Sequence, residues 1–230
     1  MKLKSGIKRG GMIVALTSLL SLVIIGCANH IKPEEAYPLH ENITAAVFWV
    51  GEEASEDNTF IPNHQSAWDD KWEEHYGGLD DPNNRNGYLP ASFVPKENSF
   101  YFGLPYNDFN NDGDRKSSSE KIYWAGEKTW SELESMCKNR WIKIIKGSNT
   151  AYAQWEDAGP FEEDDFNYVF GESLPKNQIN YNDGLDFSPA VRDYLNLEDT
   201  DTISWQFVDS SEVPNGPWKT TITSSQVFWE

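Results

Sequence analysis

Hydrophobic and polar positions alternate in short runs along most of the chain, which is the pattern of half-buried β-strands. Such runs occupy residues 45–50, 99–106, 140–146, 150–156 and 203–208. Residues 147–149, Gly-Ser-Asn, separate two of them and predict a hairpin turn. Beyond Pro214, the segment 220–230 predicts a further edge strand. The pattern therefore predicts a protein built mainly from short β-strands.

Helical periodicity is confined to two places. Ser188 and Pro189 are an N-cap and a first helical residue, and they predict a short helix with an apolar stripe over 189–197. The segment 66–78, SAWDDKWEEHYGG, predicts another short helix. Its Trp68 and Trp72 lie four residues apart, and we expect them to pack under a loop rather than to stack on a sugar.

These elements predict a mainly β fold with one short helix late in the chain and long loops. Closing the sheet into a small barrel would remove its unpaired edges. No internal repeat divides the sequence. We therefore expect a single domain over 46–230, with the barrel core at about 90–214.

The N-terminal residues have the composition of an export signal. A basic head precedes a nearly uncharged apolar run over 12–25, which is too short to span a bilayer comfortably. The run ends at Ile24-Ile25-Gly26-Cys27, which resembles the bacterial lipobox. That resemblance implies a signal peptide over 1–26, lipidation of Cys27 and a membrane anchor. An ordinary secretory signal is the alternative. Residues 27–45 are predicted to be a tether.

The net charge of the chain limits the kinds of partner that it is expected to bind. The chain of 230 residues carries a net charge of −18, which becomes −22 once the four basic residues of the signal peptide leave. So acidic a surface does not favour nucleic acid or other polyanions. Neutral or cationic partners, such as glycans, agree with it better. With Cys27 lipidated, Cys137 has no disulfide partner and is predicted to be a buried apolar side chain.

Two motifs in the second half resemble a known family. In NRWIKIIKGSNTAYAQWEDAGPF a strand hairpin leads to residues 156–161, and in GLDFSPAVRDYLNL the residues 186–188 open a helix. The closing strand ISWQFV follows. This order is similar to the double-psi β-barrel domain that rare lipoprotein A proteins and expansins share. The resemblance covers about 137–214 and implies a six-stranded double-psi barrel. The motif's arginine is Ala158 here, and the family's early-strand histidine has no counterpart.

The resemblance also implies a site. It places Asp157 and Asp186 on one groove, where Asp157 would be the general acid of a lytic-transglycosylase-like glycan cleavage. A partly desolvated carboxyl keeps its proton and can give it to a glycosidic oxygen, and inverting hydrolysis needs a second carboxylate for water. The expected contacts to the glycan strands of the cell wall come from four residues: Trp155, Phe161, Tyr106 and Ser188.

Structural interpretations of the same residues remain open. Asp157 has the position of a turn aspartate that accepts backbone N–H groups, and Asp186 that of a capping residue beside Ser188. A glycan-binding or envelope-scaffolding module without catalysis is the alternative function. We expect an envelope location, at the outer membrane facing the periplasm if the cell has two membranes.

A loop at 108–120 resembles the start of an EF-hand. Asp108, Asn110 and Asp112 have calcium-ligand spacing, but Ser119 stands where the bidentate glutamate belongs. A polar turn is therefore the preferred interpretation and calcium a weak alternative. No cofactor is expected.

Overall fold

The computed structural model describes residues 37–56 and 58–229. The described residues form eight strands: β1 His40–Val47, β2 Arg85–Asn86, β3 Leu89–Pro90, β4 Tyr101–Leu104, β5 Trp141–Lys146, β6 Asn149–Ala158, β7 Leu185–Phe187 and β8 Thr200–Val208. Three short helices accompany them: α1 Trp72–Tyr76, α2 Phe166–Val169 and α3 Pro189–Leu195. The signal peptide and Cys27 lie outside the described residues.

Six strands close into a barrel in the order β1-β7-β4-β6-β5-β8, with β8 pairing back to β1. The pairs β1/β7 and β4/β6 are parallel, and the other neighbours in the barrel are antiparallel. The remaining strands, β2 and β3, form a separate hairpin. The prediction of a mainly β, six-stranded barrel with one short helix is confirmed.

Aromatic side chains fill the barrel. Trp155 and Trp205 are fully buried, and Phe207 packs against both of them. Ile203, Trp205 and Phe207 all face this core, as their alternation on β8 predicts. Cys137 is buried as expected. Burial raises the pKa of its thiol well above the ordinary value.

The tether predicted over 27–45 is wrong from His40 onward, because β1 begins there. His40 is buried and stacks on Trp205 with 4.0 Å between the ring centroids. A register shift between His40 and Ile43 interrupts the alternation, so the strand has no clear pattern in its first residues. Burial lowers the pKa of His40 to about 4.

The edge strand predicted over 220–230 is also wrong for its described residues. The tail is instead held by side chains, since Thr223 donates to Gln154 Oε1 and its hydroxyl accepts from the backbone of Asn98. Near its end, Phe228 makes a single β-bridge with Asp69. The tail therefore straps the outside of the barrel instead of extending the sheet.

The Trp-rich segment after β1 packs onto the barrel. Trp68 contacts Trp155, and Trp72 joins a second apolar cluster with Phe48 and Tyr101. Both tryptophans are buried, which confirms that they pack under a loop. The helix itself begins at Trp72, so Trp68 lies in the turn before it.

Within the part of the chain that the structure describes, every helix is too short or too polar to span a lipid bilayer.

Replacing Trp205 by alanine tests the barrel core. Trp205 stacks on His40 and donates Nε1–H to the hydroxyl of Tyr168 at 2.9 Å. Its loss should lower the free energy of unfolding by about 3–5 kcal/mol, measured by urea denaturation. The same change at Tyr181, which is 83% exposed, should alter it by less than about 0.5 kcal/mol. Equal losses in the two variants would contradict this account of the core.

Candidate functional site

Two acidic side chains flank a glycine on adjacent strands of the barrel wall. Gly103 of β4 pairs with Asp157 of β6 on one side and with Asp186 of β7 on the other. Ala46 of β1 continues the row beyond Asp186. The neighbours of these residues along β4 and β7 (Phe102, Leu104, Leu185 and Phe187) are all fully buried. Since side chains alternate along a strand, the row faces away from the core.

Gly103 keeps the space between the two carboxyls open. A Cβ built at Gly103 would lie 3.6 Å from Cβ of Asp186 and 3.5 Å from the carbonyl oxygen of Asp157. The Asp186 carboxyl reaches across to the turn after β6, because a Cβ at Gly159 would lie 3.5 Å from Asp186 Oδ2. The Asp186 carboxyl therefore lies beside the turn that follows Asp157.

A β-bulge sets the direction of Asp157. Phe102 pairs with Trp155 and Gly103 with Asp157, so Glu156 is an extra residue on β6. Its carboxylate accepts from Lys138 Nζ at 2.7 Å, and both side chains are buried. Burial raises the pKa of Glu156 to about 7, while Lys138 opposes that rise. The buried ion pair thus fixes Glu156 on one side of the strand end and leaves Asp157 on the groove side.

Backbone donors hold Asp157. Its Oδ1 accepts the N–H of Ala67 at 2.7 Å and that of Ala158 at 2.8 Å. Burial nevertheless raises the pKa of Asp157 from 3.8 to about 7, helped by the charge of Glu163 and opposed by these two hydrogen bonds. Both proton states are therefore accessible near neutral pH, as a group that exchanges protons requires.

Asp186 is surrounded by other acids. Burial raises its pKa well above the ordinary value, and the neighbouring charges of Asp183, Asp157 and Glu52 raise it further. Asp183 also contacts it by a hydrogen bond between the two side chains. Among the described residues, no backbone N–H donates to the Asp186 carboxyl. These surroundings favour the protonated form of the Asp186 carboxyl.

These residues form the floor of an open groove with a volume of about 480 Å³. Its walls come from described residues of the loop after β1, the turn after β6 and the loop before β7. Lys, Arg and His are missing from the described lining. Six acidic residues line it: Glu52, Asp157, Glu163, Asp183, Asp186 and Asp199.

The structure brings together three of the six protein residues predicted for catalysis or substrate binding. Asp157, Asp186 and Phe161 all line the groove. Phe161 follows the cis Gly159–Pro160 peptide bond and has a left-handed backbone with φ 59°. Both aspartates and Phe161 are partly exposed, so a ligand can reach them from solvent.

The other three side chains are fully buried and do not line the groove. Trp155 packs in the core and donates Nε1–H to the carbonyl of Asp157, which supports the strand end rather than a sugar. Tyr106 packs against Phe170 and bonds serine hydroxyls. Ser188 accepts the N–H of Val191 as the N-cap of α3.

Among the groove residues that were not predicted, three have a partly exposed aromatic ring or a buried carboxyl: Trp49, Glu52 and Asp183. Trp49 is partly exposed in the groove, while its neighbour Phe48 is buried. Alternation in the run 45–50 is the signal that separates these two rings. Glu52 and Asp183 are buried groove acids that lie in loops. Nothing local in the sequence distinguishes them from the other acidic residues.

The calcium-like loop is a polar turn with a buried first aspartate and an exposed tip at 110–114. Asp108 is fully buried, its Oδ2 accepts from Arg115 Nη1 at 2.6 Å, and its Oδ1 accepts from Ser135 Oγ at 2.6 Å. Asn110 Oδ1 accepts the N–H groups of Asp112 and Asp114. These oxygens already accept hydrogen bonds from donors of the protein. Over residues 37–56 and 58–229, no cluster of three or more His, Cys, Asp or Glu side chains could hold a metal ion.

No protein-family model matches the chain, and no curated protein matches it either. The site is therefore interpreted from its own geometry.

The groove carboxyls should make stability depend on pH. The pKa of Asp157 is about 7 when folded and about 3.9 when unfolded, so the folded chain binds this proton more tightly. Its contribution is full below about pH 4 and is lost as the pH rises to 7. We expect Asp157→Asn to raise the melting temperature at pH 8 by a few degrees and to change it little at pH 4.5.

Scanning calorimetry at the two pH values measures this difference. Asparagine keeps an Oδ1 acceptor for Ala67 and Ala158, so the fold should be preserved. Asp112→Asn, on the exposed 108–120 loop, is the matched control and should leave both temperatures unchanged. A lower melting temperature for Asp157→Asn at pH 8 would show that this carboxylate stabilises the fold.

Proposed function

We propose that the protein binds a polysaccharide strand in the groove and cleaves it by a lytic-transglycosylase-like reaction with an aspartic general acid. The observation that carries this proposal is the row Asp157–Gly103–Asp186 on the floor of an open groove. Two carboxyls in different hydrogen-bonding environments can act as the acid and the base when a glycosidic bond is broken.

The spacing of the row suits a sugar. Neighbouring strands lie about 4.8 Å apart, so the Cα atoms of Asp157 and Asp186 are separated by roughly 10 Å. The glycine between them contributes no side chain to that interval. A glycosidic oxygen and the carbon it leaves can therefore approach between the two carboxyls.

The hydrogen bonds favour roles opposite to those expected from the sequence. Asp186 lies among carboxyls and retains its proton, which suits the general acid. Asp157 accepts two backbone N–H groups, which favour its ionised form and suit the base. Asp186 would give its proton to the leaving oxygen as the C1–O bond breaks. Asp157 would take the proton of the sugar's 6-hydroxyl, whose oxygen then bonds to C1 and gives an anhydro product.

The side chains that line the groove also limit the kind of ligand that it can bind. Trp49 and Phe161 provide partly exposed rings on which a pyranose can stack. The six acidic residues oppose anionic ligands and favour neutral or cationic sugars. The glycan strands of peptidoglycan, whose backbone sugars include neutral ones, are the proposed partner.

Location follows from the N terminus. Lipidation of Cys27 would tether the domain to a membrane of the cell envelope, on the periplasmic face of the outer membrane in a two-membrane cell. The strand order, with its two parallel pairs, supports the resemblance to the double-psi barrel of rare lipoprotein A proteins. A non-catalytic glycan-binding module is the second candidate, favoured by the absence of histidine from the described groove lining.

Digestion of purified sacculi tests the proposal. The wild-type protein should release anhydro-sugar products, and Asp186→Asn or Asp157→Asn should lower the release by about 100-fold or more. Liquid chromatography with mass spectrometry measures the products, and Asp112→Asn is the control that should retain activity.

The second candidate has a different signature. A binding module would sediment with sacculi, release nothing and be insensitive to the loss of either carboxyl's acid function. A wild-type protein that neither binds nor cleaves the sacculi would overturn both candidates. Circular dichroism of each variant excludes unfolding as the cause of a loss.

A further inference from the structure

Asp183 is a groove acid that the proposed cleavage does not use. It lies in the loop before β7, is 1% exposed and contacts the side chain of Asp186. We propose that Asp183 is a positioning residue that keeps the transferable proton on Asp186. The contact between the Asp183 and Asp186 side chains is part of the fold. Only its role in catalysis rests on the proposed function.

Donors surround the Asp183 carboxylate. Its Oδ1 accepts the N–H of Leu185 at 3.3 Å, and its Oδ2 accepts Nδ2–H of Asn180 at 3.1 Å. Its backbone carbonyl accepts Nδ2–H of Asn177 at 2.8 Å. Burial raises the pKa of Asp183 to about 7, and these side-chain and backbone donors oppose that rise because they favour the ionised form. Asp183 is therefore held as an acceptor in a fixed position.

Asp186 has the opposite surroundings. It faces Asp183 from its own loop, Asp157 from β6 and Glu52 from the segment after β1. Lys, Arg and His are absent from the described groove lining, so no cation there offsets these charges. Two carboxyls in hydrogen-bond contact cannot both be ionised without strong repulsion, and one proton between them relieves it. The donors on Asp183 place that proton on Asp186.

The loop that carries Asp183 has an unusual backbone. Asn180, Tyr181 and Asn182 all have left-handed φ angles, of 47°, 62° and 63°. Such a run is unfavourable for residues other than glycine and persists only where other contacts hold it. Asn177 supplies two of these contacts, since its Oδ1 accepts the N–H of Ile179 and its Nδ2 bonds Asp183. The loop thereby presents Asn180 and Asp183 together beneath the groove.

Asp183 would act by influencing when Asp186 loses and regains its proton during the reaction. When Asp186 gives its proton to the leaving oxygen, it becomes a carboxylate beside the ionised Asp183. Repulsion between the two then favours the return of a proton from solvent to Asp186, while Asp157 releases to solvent the proton that it took from the 6-hydroxyl, and the acid is restored for the next cycle. Asp183 itself neither gains nor loses a bond to the substrate.

The test is a direct titration of the Asp186 carboxyl. Carbon-13 NMR of protein labelled at aspartate carboxyls follows its protonation, and Asp186→Asn assigns the signal. Asp183→Asn removes the neighbouring charge and retains an oxygen acceptor. We expect the midpoint for Asp186 to fall by about one pH unit or more, and the basic limb of any glycan cleavage to move by the same amount.

Glu163→Gln is the matched control. Glu163 is a groove acid whose charge acts on Asp157, so its loss should leave the Asp186 midpoint in place. Asn180→Ala is the second variant, for use if Asp183→Asn fails to fold. It removes the donor to Asp183 Oδ2, so the shared proton should move toward Asp183 and the midpoint for Asp186 should fall.

The outcomes separate the two proposals. An unmoved Asp186 midpoint in folded Asp183→Asn, or in Asn180→Ala where the first variant is unfolded, would overturn the role of Asp183. A uniform loss of activity with an unmoved midpoint would show a purely structural residue, and would overturn it too. A shifted midpoint in a protein that leaves sacculi intact would support Asp183 and reject the glycan cleavage.

Discussion

A single extra residue on β6 determines how the groove is built. Glu156 has no partner on β4, and its buried ion pair with Lys138 holds it away from the groove. The chain can then place Trp155 in the core and Asp157 on the outer face within three residues. β-Bulges re-aim side chains in this way and are frequent beside functional sites. Without this bulge, Asp157 would not stand in register with Gly103 and Asp186.

Concentrating acids on one groove opposes stability. Burial raises the pKa values of Asp157, Asp183 and Asp186, so ionising them in the folded chain is unfavourable. A fold that needed only a closed barrel would place apolar or uncharged residues along this row. The surrounding loops supply contacts that keep the row in place, such as the N–H of Ala67 on the Asp157 carboxyl.

Distant parts of the chain converge on Asp157. Ala67, which donates to its carboxylate, lies in the Trp-rich segment that covers one end of the barrel. The C-terminal strap holds this segment, because Trp229 donates to the carbonyl of Ala67 and Phe228 bonds the backbone of Trp68. The Trp-rich segment and the C-terminal strap, which both lie outside the family resemblance, thus hold Asp157 in place.

Local sequence determined the barrel strands β4, β5, β6 and β8 and the capped helix α3, since alternation and capping depend on neighbours a few residues apart. That Asp157 and Asp186 share one groove was implied only by the resemblance of their two motifs to a family, and both residues line the groove in the structure. Only the tertiary structure decided that Trp155, Tyr106 and Ser188 are buried and that Asp183 joins the site. Those outcomes depend on which face meets the core and on residues far away in sequence, and no local pattern records either.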